Sequence, residues 1–222
     1  MADSSPASMP SARRTHGAAD AYADFADAVR ECTACDLHRD RHTVAVGDGP
    51  ADARLLLVGV APHRHEDLHG RAMTGGPRNV VDHALAAAGI SAAEVRITTL
   101  VRCRPPDDRP VARDEVQACL GHLRREIELV APEVVVALGA FTTRVLAGQQ
   151  LAIDRVAGYR LVLGDGMTLI PTYHPADVVR GVPQADVAIR RDLVTARAVL
   201  DGTLATGPQV RARLREPAEG AA

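Results

Sequence analysis

The sequence predicts an α/β protein, a three-layer α/β/α sandwich built on a short, mostly parallel sheet of four to five strands. Three observations carry that prediction. Short continuous aliphatic runs, RLLLVGV and EVVVAL among them, read as strands buried on both faces. Segments with apolar residues at helical spacing alternate with those runs, the pattern of a sheet layered between helices. Only 2% of the 222 residues are aromatic while 46% are hydrophobic, so the core must be aliphatic.

The elements follow in chain order. Residues 1–18 are rich in Ser, Ala, Pro and Arg without periodicity and read as a flexible tail, as do residues 203–222. One domain is expected between them, over residues 19–202. Residues 20–31 place Tyr22, Phe25, Ala26 and Val29 at helical spacing. Residues 54–60 form the first buried strand. Residues 77–89 read as a helix, with proline in the first turn and glycine at the end. Residues 96–101 are a second strand. Residues 113–130 are an amphipathic helix with Val116, Leu120, Leu123, Ile127 and Val130 on one face. Residues 133–138 are a third strand and 141–147 a short helix. Residues 160–163 and 168–171 are two further strands, paired as a hairpin across residues 164–166. Residues 185–200 are the last helix.

Composition excludes whole classes of chemistry. All 26 basic side chains are arginine, because the chain has no lysine. Schiff-base catalysis and the lysine of a phosphate-binding P-loop are therefore ruled out. Tryptophan is absent and asparagine occurs once, at Asn79. A net charge of −2 argues against a protein that coats nucleic acid uniformly. A local arginine patch stays open, and it would grip phosphate through forked contacts. No apolar run is long enough to span a bilayer, and the first twenty residues lack the apolar middle of a signal peptide. A cytoplasmic location is expected. Disulfides are not expected there.

The four cysteines then need another role. Cys32 and Cys35 form a C-x2-C pair at the end of the first helix, Cys103 follows the second strand, and Cys119 lies in the long helix. Four thiolates suit tetrahedral zinc or a cubane iron–sulfur cluster, and spacing alone leaves both open.

Ligands of open α/β sheets sit at the C-terminal ends of the strands. Three segments of odd composition fall there: residues 59–76, 101–109 and 172–180. The first carries Glu66, Asp67, His63, His65 and His69, a density of titratable groups that points to catalysis. The second offers Arg104 and Arg109 to phosphate, on a backbone stiffened by Pro105 and Pro106. The third fixes His174 before Pro175, where an imidazole can donate to developing negative charge. The competing reading makes His174 the cap of a following helix. Val178, Val179 and Arg180 come next, an apolar wedge with a cation of the kind inserted into a duplex by base-flipping proteins.

Together these segments resemble the uracil-DNA glycosylase superfamily, in its iron–sulfur branch of family 4 and family 5 type. The resemblance spans roughly residues 30–200 in order. It rests on C-x2-C-x-L at residues 32–37, on G-V-A-P through G-R-A-M-T-G at 59–75, on C-R-P-P with its later cysteine at 103–119, and on H-P-A with a downstream arginine at 174–180. It implies a 4Fe–4S cluster on Cys32, Cys35, Cys103 and Cys119 rather than zinc. It implies DNA as partner and excision of uracil, or a related deaminated base, to leave an abasic site. It implies catalytic roles for His174, Glu66 and His63, and a base pocket from Gly59, Val60, Ala61, Pro62, Met73 and Thr99. DNA contacts would come from Arg71, Arg104, Arg109, Val178 and Arg180. The chain departs from the family pattern at four positions. Val60 stands for a glutamate, His63 for a glycine, Met73 for a stacking aromatic, and Thr99 for a base-reading asparagine. A monomer is expected. Those departures also motivate a second reading, a relative that binds DNA or a damaged base without cutting. A third reading, without the resemblance, is a zinc-stabilised α/β protein acting on a small ligand.

Overall fold

The computed structural model describes residues 12–204, with side chains from Asp20 onward. Residues 1–11 and 205–222, most of the two expected tails, lie outside the described residues. Five strands form one sheet in the order β2-β1-β3-β5-β4. These are β1 (Leu55–Gly59), β2 (Val95–Thr99), β3 (Val134–Leu138), β4 (Leu161–Val162) and β5 (Thr168–Thr172). All neighbours are parallel except β4 and β5, which form the expected hairpin. Every residue of β1, β2, β3 and β5 is buried, as strands covered on both faces require.

Helices cover both faces. On one side, α1 (Ala12–Arg30), α4 (Arg113–Val130) and α5 (Gly139–Ala147) enclose a core with Leu56, Val58, Val135, Ala137 and Leu169 of the sheet. On the other, α3 (Gly75–Ala87) and α8 (Ala185–Leu200) pack on Leu55, Leu57, Val134, Val136 and Ile170. The alternation along each strand therefore assigns successive side chains to opposite cores. The three-layer architecture agrees with the sequence expectation.

Some elements differ from expectation. α1 begins at Ala12 rather than residue 20, so it takes in residues assigned to the tail; that segment holds several alanines, the strongest helix former. Three short helices form inside segments read as loops: α2 (Arg64–His69), α6 (Ile153–Val156) and α7 (Pro175–Val179). No helix among the described residues is long and apolar enough to cross a membrane.

The register decides where the site lies. Gly59 pairs with Thr99, and Leu138 with Thr172. The C-terminal ends of four parallel strands thus finish level, and the segments that follow them converge above the sheet.

Candidate active site

A cavity of about 310 Å3 opens at that level. Strand ends supply Gly59, Thr99 and Leu138; the first loop supplies Val60, Ala61, His63, Glu66 and Met73; the last supplies His174, Ala176 and Arg180. Two residues that sequence reasoning missed, Gly139 and Phe141 at the start of α5, close the remaining wall. Both follow β3 directly, so their position at a strand end was the available signal. Pro62 lies outside this cavity, in a smaller adjoining depression beside Pro105 and Arg109.

His174 is the N-cap of α7 and also a wall of the cavity, so its two readings hold together. Its Nδ1 accepts the Ala176 backbone N–H at 3.1 Å. The neutral ring must then carry its proton on Nε2. Burial pushes the imidazole pKa down to about 4, against a smaller opposing pull from Asp177. Asp177 in turn accepts the His174 backbone N–H at 3.1 Å. Gly139 lies on the other side of the ring. Its φ is +89°, and a Cβ there would stand 3.1 Å from the His174 Cβ. Glycine is thus needed both for the backbone and for the ring's place.

Glu66 is buried, not part of a solvated loop. Its Oε1 accepts the Thr74 N–H at 2.8 Å and the Thr74 hydroxyl, and its Oε2 accepts the His63 N–H at 3.2 Å. Burial would raise its pKa, but the Thr74 hydroxyl and the surrounding backbone N–H groups outweigh it and hold the carboxyl below the usual range. The carboxylate is therefore ionised and clamps the loop. Of residues 61–63 at this turn, two offer no free backbone donor: Pro62 has no N–H, and that of His63 is spent on Glu66. Only Ala61 remains of the three. The His63 ring is mostly exposed, with Nδ1 3.5 Å from Asp108 Oδ1.

Asp67 is more deeply buried and accepts the backbone N–H groups of His42 and Thr43, tying α2 to the segment after Cys35. Thr99 is buried and donates its hydroxyl to Val101 O at 2.8 Å, which leaves its oxygen free only to accept.

Four arginines expected at DNA surround the region, each already in an ion pair. Arg71 meets Asp48 at 2.7 Å, Arg104 meets Asp108 at 2.6 Å, Arg109 meets Glu115, and Arg180 meets Asp177. The wedge reading needs correction in one respect. Val178 packs inward against the core, whereas Val179 is 58% exposed and is the apolar tip. Gly76 makes room for that tip, since a Cβ there would sit 3.1 Å from a Val179 methyl.

The cysteines gather at a second place. Cys32 and Cys35 after α1, Cys103 after β2 and Cys119 within α4 line one small cavity, all with free thiols. Arg41 donates from one guanidinium to Cys103 Sγ at 3.3 Å, to Cys32 O at 2.9 Å and to Arg30 O at 2.6 Å. Burial pushes the Cys119 thiol up to about 11 and also raises Cys35 and Cys103, the last opposed by Arg41. Among the described residues, no three His, Cys, Asp or Glu side chains converge as they would on one metal ion.

Residues 46–194 match the sequence model of the uracil DNA glycosylase superfamily. The chain belongs to that superfamily. It is 37% identical over 153 residues to the type-4 uracil-DNA glycosylase of Thermotoga maritima, a match covering 68% of this chain and 80% of the relative. It is 35% identical over 163 residues to the type-4 enzyme of Archaeoglobus fulgidus, covering 69% and 82%. A type-5 uracil-DNA glycosylase of Mycobacterium bovis is 34% identical over 152 residues, covering 59% and 56%. The matched span of the superfamily contains all three segments at the strand ends and two of the four cysteines, Cys103 and Cys119.

Proposed function

We propose that this glycosylase-superfamily protein hydrolyses the N-glycosidic bond of uracil, or of a related deaminated base, in DNA and stops at the abasic site. The observation that carries the reading is His174: a neutral imidazole, half-buried in the cavity wall, with its one proton on the nitrogen not used for capping. As the bond to the base lengthens, negative charge grows on the base carbonyl and positive charge on the sugar. Nε2–H donates to the first. The ionised Glu66, held by three donors, stabilises the second through its charge; with those bonds made, it is better placed for that than for taking a proton from water. Water captures the sugar cation and loses a proton to solvent, and the departed base anion takes one up, so that the products are the abasic sugar and the neutral base. Thr99 accepts from the ring N–H of the base, and Met73 covers its face. Without lysine there is no Schiff base, so the strand is not cut by that route.

The test is single-turnover release of uracil from an oligonucleotide. His174→Ala should slow excision by about 10²-fold or more, the usual size of one lost donor to developing charge. A wild-type rate would remove His174 from the mechanism. Val60, Met73 and Thr99 support a second reading, binding without cutting. It predicts tight binding to abasic-site DNA with no base release, and any release eliminates it.

We further propose a 4Fe–4S cluster on Cys32, Cys35, Cys103 and Cys119. Four free thiols on one cavity are the right donor set. The resemblance of the cysteine segments to the iron–sulfur branch of the superfamily favours a cluster over zinc. Burial disfavours the thiolates of Cys35, Cys103 and Cys119, so a bound cationic centre and the Arg41 charge would supply the compensation. The protein is proposed to act as a cytoplasmic monomer.

A further inference from the structure

Phe141 belongs to two cavities at once. On one side is the base pocket. On the other is an open groove of about 570 Å3 between the start of α4 and α5, within the range of about 300–1,000 Å3 typical of small-ligand sites. Aliphatic side chains line it, Val116, Leu120 and Val145 among them, and Arg113 and Arg144 are exposed along it. The Arg144 guanidinium lies 5.8 Å from the centre of the Phe141 ring.

The two arginines differ from those at the pocket mouth. Arg71, Arg104, Arg109 and Arg180 are each neutralised by a carboxylate. Among the described residues, Arg113 and Arg144 form no ion pair. The acids nearest Arg113 in sequence are Asp114 and Glu115; Glu115 is buried and held by Arg109 and the Ala112 N–H. A phosphate reaching Arg113 or Arg144 displaces no carboxylate, whereas one reaching Arg109 must compete with a forked carboxylate contact.

We propose that this groove seats the nucleotide next to the extruded one on the same strand, its base against Phe141 and its phosphates on Arg113 and Arg144. The proposal rests on the glycosylase reading. An aromatic ring with aliphatic flanks suits a base of any sequence, and the two cations suit the backbone on either side of it. Because Phe141 is shared, a strand leaving the pocket enters the groove directly. Phe141 also offers an aromatic surface near the pocket, where Met73 offers none.

The experiment measures binding of the full chain to a single-stranded oligonucleotide with an abasic site, by fluorescence anisotropy over a salt series. Binding to that probe does not require catalysis. The Arg113→Gln/Arg144→Gln double variant should bind more weakly, with the slope of log affinity against log salt flatter by about 1.4, twice the single-strand value per phosphate. Phe141→Ala should weaken binding roughly 5- to 150-fold, the worth of one base–aromatic stack, with the slope unchanged. Arg190→Gln, in α8 and paired with Asp186, is the control and should match wild type. All three arginines are exposed on helices, so these variants should fold. A double variant with wild-type affinity and slope overturns the groove assignment alone. A wild-type protein that neither binds this probe nor releases uracil overturns the glycosylase reading, and the groove assignment with it.

Discussion

At the scale of single residues, the proposed function hangs on the protonation and placement of His174. Burial lowers its pKa to about 4, whereas an unfolded chain titrates it near 6.5. The group is therefore neutral in the folded protein throughout the neutral range. Excision should be flat with respect to this group from pH 8 to about 5.5 and fall as pH approaches 4. A pH–rate profile for the intact protein checks this, and a loss centred near 6.5 would mean that the neutral ring is not protected. Between about 6.5 and 4 the unfolded state binds the extra proton, so the His174 contribution to stability is whole above that window and is lost as pH falls through it. Placement is the second matter. Gly139→Ala puts a Cβ 3.1 Å from the His174 Cβ at a backbone φ of +89°. A displacement of about 1 Å can cost about 10²-fold, so this variant should lose rate by that order while keeping its far-UV circular dichroism. An unchanged rate would show that the ring has room to spare. The sequence marked His174 as a site residue but not Gly139, because a glycine's reason is the atom it lacks beside a distant neighbour. It also marked Arg71, Arg104, Arg109 and Arg180 without revealing their carboxylate partners, since pairing is a property of the folded surface.

At the scale of elements, legibility tracked length and periodicity. α4 runs over the residues that its apolar spacing marks, Arg113–Val130, and the aliphatic runs became β1 and β3 within a residue. α2 was missed, and α7 entered only through the competing reading of His174 as a helix cap, because each is little more than a turn, set by its ends. Both start at a histidine with an acid three residues on, His63 with Glu66 and His174 with Asp177, and each acid accepts the capping residue's N–H. That spacing is the capping-box signature with an unusual first residue, so the signal was present. Glu126 in α4 is the larger omission. It is fully buried and accepts from Arg96 at 2.8 Å, from Thr98 at 2.7 Å, from Tyr22 at 2.8 Å and from Arg102. Burial would raise its pKa, but Arg102 and Arg96 outweigh it and hold the carboxyl low. This network ties α1, β2 and α4 together. Helical periodicity places Glu126 one residue from Ile127 on the apolar face but cannot foresee two arginines brought in from β2 and its following loop. Glu126→Ala leaves both guanidinium groups buried without their carboxylate and should cost about 3–5 kcal/mol. Chemical denaturation checks it, and a loss below about 1 kcal/mol would show that water or neighbours take over.

At the scale of the molecule, the two chemistries sit on different parts of the same frame. The proposed base pocket occupies the level C-terminal ends of the strands, while the four thiols line a cavity where the end of α1, the segment after β2 and the body of α4 meet. Cys103 and Thr99 are four residues apart on one connection, so the site proposed for the cluster lies next to the pocket without entering it. Arg41 fastens this junction from a third direction, bonding the carbonyls of Arg30 and Cys32 at the end of α1 and the sulfur of Cys103 across from it. A structural cluster so placed should govern folding more than chemistry. Cys119→Ser should lower yield and thermal midpoint, with iron and acid-labile sulfide falling together, while any folded fraction retains its excision rate per molecule. Arg41→Gln keeps neutral donors but removes the charge opposite the thiolates. It should load its cluster, lose it faster to a chelator, and show a lower reduction potential, because a cationic donor to a ligand sulfur favours the more negative reduced state. The chelator time course and the potential separate this role from simple bracing, since loss of bracing alone would hasten iron release without moving the potential. Full iron retention and an unshifted potential in Arg41→Gln would show that the cluster needs no help from that guanidinium.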